Sequence, residues 1–172
     1  DASHFLAAFI DLLAGPQKPI LIGFSLGGWI AAEIAALNPD RLKGLILVGA
    51  MGIKPQIGEI TEIMTISPQD VQNLSYYDQS LVPNVEELEA DLLADLWINR
   101  EMASRLGWKP YMHNPALPDY LKLIKLPSLI IWGTNDAIVP LNSAELYHQN
   151  LVGSQLNLID NCGHFPQNER PD

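Results

Sequence analysis

"PILIGFSLGGWIAAEIAALNPD", residues 19–40, decides how this chain is read. It sets Ser25 between Gly23 and Gly27, at the corner where one apolar segment gives way to another. The run "KPILIGF" is short and bounded by Pro19 and Gly23, the pattern of a strand buried in a parallel sheet. Leu26 to Leu37 carries a single charge, Glu33, and predicts a helix buried over most of its surface. "NPD" stops it. A strand-to-helix corner of this kind has two uses. It packs a helix closely on a sheet, or it lifts a side chain out of the backbone for chemistry.

Upstream of the corner, "DASHFLAAFIDLLAG" predicts a helix with Ser3 as its cap. Phe5, Phe9 and Leu12 fall on one stripe, and Gly15-Pro16 ends the segment. Downstream, "KGLILVGA" reads as a second buried strand. Helix, strand, helix, strand is the rhythm of a parallel sheet covered on both faces. From Met51 to about Pro118 the pattern turns helical, with no buried strand. Ser67 reads as an N-cap, with Pro68 at the first helical position. In "NVEELEADLLADLWINREMASRLG", Asn84 and Glu87 fit a variant of the capping box. Val85, Leu88, Leu92 and Leu96 form its stripe, and Gly107 closes the end. The α/β rhythm then returns with "LPSLIIWG", "PLNSAELYHQNL" and "SQLNLID". The chain therefore divides into an α/β part over 1–50, a helical insertion over 51–118 and a second α/β part over 119–172.

Composition narrows the classes. Hydrophobic residues make up 48% and charged ones 17%, a globular balance. No apolar run reaches the roughly 18 residues of a membrane span. One cysteine, Cys162, excludes an internal disulfide and fits a cytoplasmic setting. Net charge is −10, and residues 55–99 hold nine acidic side chains with no Lys or Arg. Such a stretch repels phosphate backbones and argues against a nucleic-acid partner. Cys162 and His164 stand without a second pair of ligands, so no metal site is expected, and no cofactor motif appears. Nothing in the pattern encodes an oligomeric state.

The chemistry follows from what a serine needs. Its hydroxyl is a weak nucleophile until a base removes the proton, and the base needs an acid to orient it. Asp136, in "GTNDAIVP", follows one predicted strand; His164, in "NCGHFP", follows another. Carboxyl ends of parallel strands face a common crevice, so Ser25, Asp136 and His164 are expected to converge. Rivals are weaker. His4 lies on the entry helix, His148 on a helix facing away, and His113 near the end of the insertion. Asp160 is too close to His164 in sequence, and Cys162 reads as a small buried residue.

Taken together and in order, "GFSLGG", "WGTNDAIVP" and "GHFPQNERP" resemble the α/β-hydrolase fold family, whose triad runs Ser, acid, His along the chain. The resemblance covers essentially the whole chain. It implies a mostly parallel sheet with helices on both faces, and a helical cap inserted after the strand that follows the nucleophile helix. It implies Ser25 as nucleophile, His164 as base and Asp136 as its orienting acid. The Leu26 amide becomes one oxyanion donor, and a small ester-like molecule the substrate. Trp29, Trp108 and the Met51 to Ile53 segment become candidate pocket walls.

The family also places strands, and a second oxyanion donor, before the elbow strand. The chain begins at Asp1 and ends at "RPD", so both ends are expected to be cut. A serine at the elbow separates it from the dehalogenases and epoxide hydrolases of this fold, which use aspartate there. Two alternatives stay open. One is a carbon–carbon bond hydrolase of ring-cleavage products, which needs cations for a dienoate. The insertion offers only Lys54, Arg100, Arg105 and Lys109, at its margins. The other is a non-catalytic small-ligand binding protein.

Overall fold

Four apolar runs, each flanked by turn residues, pair into one parallel sheet. The structure, a computed structural model, describes residues 2–172. Strands β1 (Ile20–Phe24), β2 (Gly44–Val48), β3 (Ser128–Gly133) and β4 (Gln155–Ile159) lie in the order β1-β2-β3-β4. Register sets Gly23 beside Leu47, Leu47 beside Ile130, and Ile130 beside Leu156. Helix α1 (Ala2–Ala14) precedes the sheet, and α2 (Ser25–Leu37) joins β1 to β2. Helices α3 (Pro68–Ser75), α4 (Ala90–Gly107) and α5 (Leu117–Leu121) lie between β2 and β3. Helix α6 (Leu141–Asn150) joins β3 to β4, and α7 (Pro166–Glu169) follows.

Every connection steps to the next strand in one direction. Right-handed crossovers then deliver their helices to one face. Helix α2 packs on β1 and β2, α6 packs on β3 and β4, and α5 sits between α2 and α6. Leu45, Leu47, Ile130 and Trp132 point into that layer and are buried, with Ala31, Ala32, Ala35, Leu121 and Tyr147 above them. Alternate positions of β1 face the other way. Ile20, Ile22 and Phe24 there are 54%, 51% and 44% exposed.

Helix α1 turns its expected stripe outward: Phe5, Phe9 and Leu12 are all exposed. The face turned toward α2 carries Ser3, which is buried, and the half-buried Leu6 and Ile10, spaced i, i+3, i+7, which line one groove with Ile30 and Ile34 of α2. Both stripes have helical spacing, and only the position of α2 chooses between them. Ser3 is accordingly not a cap. It is buried inside the helix, and its Oγ donates to Glu33 Oε2 at 2.6 Å.

Ser67 caps α3 as its sequence predicts, accepting the Asp70 amide at 3.0 Å. The Asn84–Glu87 pair closes only a 3-10 turn over Val85–Glu87. Asn84 Oδ1 accepts the Glu86 amide, and Asn84 Nδ2 donates to Glu87 Oε1 at 2.8 Å. Leu88 is then extended, and α4 begins afresh at Ala90, so the expected stripe is broken: Val85 is buried while Leu92 is exposed. Gly107 does end α4. Its requirement is space, since a Cβ there would come within 2.5 Å of Met112 Sδ.

Candidate active site

The corner is as sharp as its residues imply. Ser25 has φ +50°, the left-handed region that costs an L-residue about 1–2 kcal/mol. Gly23 allows the close approach of β1 and α2, because a Cβ there would lie 2.4 Å from the Gly27 carbonyl and 2.7 Å from Ala31 Cβ. The second close glycine is Gly28, whose Cβ would meet Ala50 at 2.6 Å; Gly27 itself faces open space. The Met51 amide donates to the Ser25 carbonyl at 3.0 Å and pins the corner to the end of β2. Leu26 lies in the first turn of α2, where amides have no partner within the helix.

Three side chains from three strand ends meet here. Ser25 Oγ is 2.9 Å from His164 Nε2, and His164 Nδ1 is 2.8 Å from Asp136 Oδ2. The His164 and Asp136 side chains are 4% and 1% exposed. Asp136 Oδ1 accepts the amides of Ile138 and Val139, both at 2.8 Å, which fixes the carboxylate plane and leaves Oδ2 to the imidazole. An imidazole held this way donates from Nδ1 to the carboxylate and presents Nε2 as an acceptor to a hydroxyl. Such an arrangement can move a proton from Ser25 to His164 while the carboxylate balances the charge.

The other histidines are engaged elsewhere. His113 Nδ1 lies 2.8 Å from the Tyr111 carbonyl, and His148 Nδ1 lies 2.9 Å from Ser154 Oγ. Cys162 is fully buried; desolvation, then the Glu169 carboxylate, pushes its thiol up to about 11.

The candidate wall residues make packing contacts. Trp29 lies against Gly52 and donates Nε1–H to Glu33 Oε1 at 2.8 Å. Met51 reaches the elbow through its main chain, and its own side chain sits in the core. Trp108 is 56% exposed and packs edge-on to Tyr111. Among the described residues, no group of His, Cys, Asp and Glu gathers as metal ligands.

One residue near the site is not singled out by sequence reasoning. Glu169, in "NERPD", reads as an ordinary surface charge, yet it is 5% exposed. Its carboxylate accepts three backbone amides, from Gly163, Tyr77 and Asp78. The sequence signals are its place five positions after His164 and inside the segment "GHFPQNERP".

Comparison with known proteins bears on the family and the fold. A family model described as serine aminopeptidase, S33, matches residues 1–171. The chain belongs to that family of α/β hydrolases. A 2-hydroxy-6-oxononadienedioate/2-hydroxy-6-oxononatrienedioate hydrolase of Burkholderia vietnamiensis is 26% identical to this chain over 99% of the chain and 64% of the relative. A monoacylglycerol lipase of Mus musculus is 25% identical over 95% of the chain and 54% of the relative. In a crystal structure of a meta-cleavage product hydrolase, 22% identical, the fold superposes with a TM-score of 0.78 over 99% of this chain and 66% of that one. The chain thus spans between half and two thirds of the length of these relatives. No helix among its described residues is long and apolar enough to cross a membrane.

Proposed function

We propose that this chain carries the catalytic machinery of a serine hydrolase acting on carboxylic esters through an acyl-enzyme. The observation that carries the reading is the continuous relay from Asp136 Oδ2 through His164 to Ser25 Oγ, with both contacts under 3 Å. Ser25 Oγ attacks the ester carbonyl as its proton passes to His164 Nε2. The Leu26 amide, at the positive end of α2, donates to the developing oxyanion. Collapse expels the alcohol, which takes the proton from Nε2. Water then attacks the acyl carbon, giving its proton to Nε2; collapse releases the acid as Nε2 returns that proton to Ser25 Oγ. Residues 51–118 serve as the lid over the elbow.

A second reading, carbon–carbon bond hydrolysis, draws support from the name of the Burkholderia relative. Charge weighs against it. A dioate carries two negative charges, while residues 55–99 hold nine acidic side chains and no cation. Arg105 is paired with Glu101, and Arg100 is held by the Ile66 carbonyl and the Trp97 ring.

Intact mass after exposure to a fluorophosphonate probe tests the first reading. One adduct, absent in Ser25→Ala, is the expected result; an adduct that survives the substitution, or none, overturns it. A panel of neutral esters assayed beside a dienoate separates the two chemistries.

A further inference from the structure

The loop that carries His164 lies close against Gly49 and Gly133, at the ends of β2 and β3. Its backbone is also joined to the end of α3, some ninety residues earlier. The His164 amide donates to the Ser75 carbonyl at 2.7 Å. Glu169 closes the same junction from the other side. Its Oε1 accepts the Gly163 amide at 2.6 Å, and its Oε2 accepts the Tyr77 and Asp78 amides at 2.9 and 2.8 Å. Gly163 leaves no room for slack, since a Cβ there would stand 2.4 Å from the Ser75 carbonyl. Side chains extend the seam: Tyr76 packs edge-on to Phe165, and Asn168 Nδ2 donates to Tyr76 Oη. Cys162 ties it to the acid loop, its carbonyl accepting the Asn135 amide at 2.9 Å.

We propose that Glu169 is the positioning residue of this site, clamping residues 162–164 to residues 75–78 and so fixing His164 between Ser25 and Asp136. The proposal rests on the reading of His164 as the base. A carboxylate suits this place because it accepts on both oxygens, and each amide it serves is otherwise an unpaired donor next to the catalytic loop. Glutamine cannot replace it. Its one oxygen serves either Gly163 or the Tyr77–Asp78 pair, and its NH₂ then faces N–H donors. Residues 75–78, although inside the segment read as the lid, accordingly belong to the base's support.

The test compares Glu169→Gln and Glu169→Asp with the unsubstituted protein. Folding is checked by circular dichroism, turnover is measured on p-nitrophenyl butyrate, and the low-field Nδ1–H resonance of His164 is followed by NMR. Misplacement of the base by about an ångström lowers kcat on the order of 10²-fold in Glu169→Gln, with KM held within about twofold. The His164 resonance shifts or broadens, and Glu169→Asp, which keeps both acceptor oxygens, recovers part of kcat. A folded Glu169→Gln with kcat and the resonance unchanged overturns the proposal.

If the variants do not fold, amide exchange in the unsubstituted protein decides. The Gly163, His164, Tyr77 and Asp78 amides should exchange through one shared opening, with protection equal within about threefold. Independent openings overturn the clamp. A protein that takes no fluorophosphonate and cleaves no ester defeats the hydrolase reading alone, because the exchange pattern and the resonance still report on Glu169.

Discussion

His164 Nε2 stands 2.9 Å from Ser25 Oγ, although 139 positions separate the two residues in the chain. Neither holds the other there. Ser25 is fixed by the left-handed corner and by the Met51 amide, and His164 by Asp136 and by the Ser75 carbonyl. The contact is therefore a product of two separately braced loops, and each brace can be tested apart from the other.

Ser25→Ala and Ser25→Gly both remove Oγ, but they differ at the backbone. At φ +50° alanine keeps the strain and glycine releases it. Urea unfolding should find Ser25→Gly more stable than Ser25→Ala by about 1 kcal/mol. Turnover should be lost to a similar extent in both, by several orders of magnitude.

Asp136→Asn keeps Oδ1 for the Ile138 and Val139 amides and turns an NH₂ toward His164 Nδ1. The imidazole then takes the tautomer with its proton on Nε2 and stops accepting from Ser25. Esterase assays should show kcat reduced by on the order of 10⁴, while the unfolding midpoint moves little.

Glu33 is a hub away from the reacting atoms. It accepts from Ser3 Oγ, Trp29 Nε1 and Asn114 Nδ2, joining α1, α2 and the segment before α5. Glu33→Ala removes the acceptor shared by Trp29 Nε1 and Asn114 Nδ2 in a partly buried place, and the Ser3 contact with it. The expected loss is about 1–3 kcal/mol in denaturant unfolding, with kcat of the folded protein retained. Stability unchanged by the substitution would remove Glu33 from the list of braces.

Alkaline stability has a calculable direction. Burial raises the Cys162 thiol from 9.0 to about 11 and the Tyr111 phenol from 10.0 to about 12. Both are acids whose neutral form the fold favours, so their contribution is complete below about pH 9 and is lost as pH rises through about 11 and 12. Urea midpoints measured from pH 8 to 12 should fall across that window, and Tyr111→Phe should flatten its upper part. Native Cys162 should resist iodoacetamide at pH 8 and react once the chain is unfolded.

The parallel strands, the elbow and the three converging side chains were legible in the sequence because each rests on local chemistry. Apolar runs between turn residues make buried strands. Glycine at position 23 and serine at position 25 make a corner that few other residues tolerate. Asp136 and His164 each follow such a run, at the end of a strand. What pairs with what across space was not legible. Two stripes of α1 have equal helical spacing, and only α2 decides that Ser3, Leu6 and Ile10 turn inward while Phe5, Phe9 and Leu12 turn out. The same holds for the carboxylates. Glu33 and Glu169 look like surface charges in one dimension, because a buried acceptor is defined by the amides and hydroxyls that reach it. Those donors come from segments 81 and 92 positions away, and folding alone brings them together.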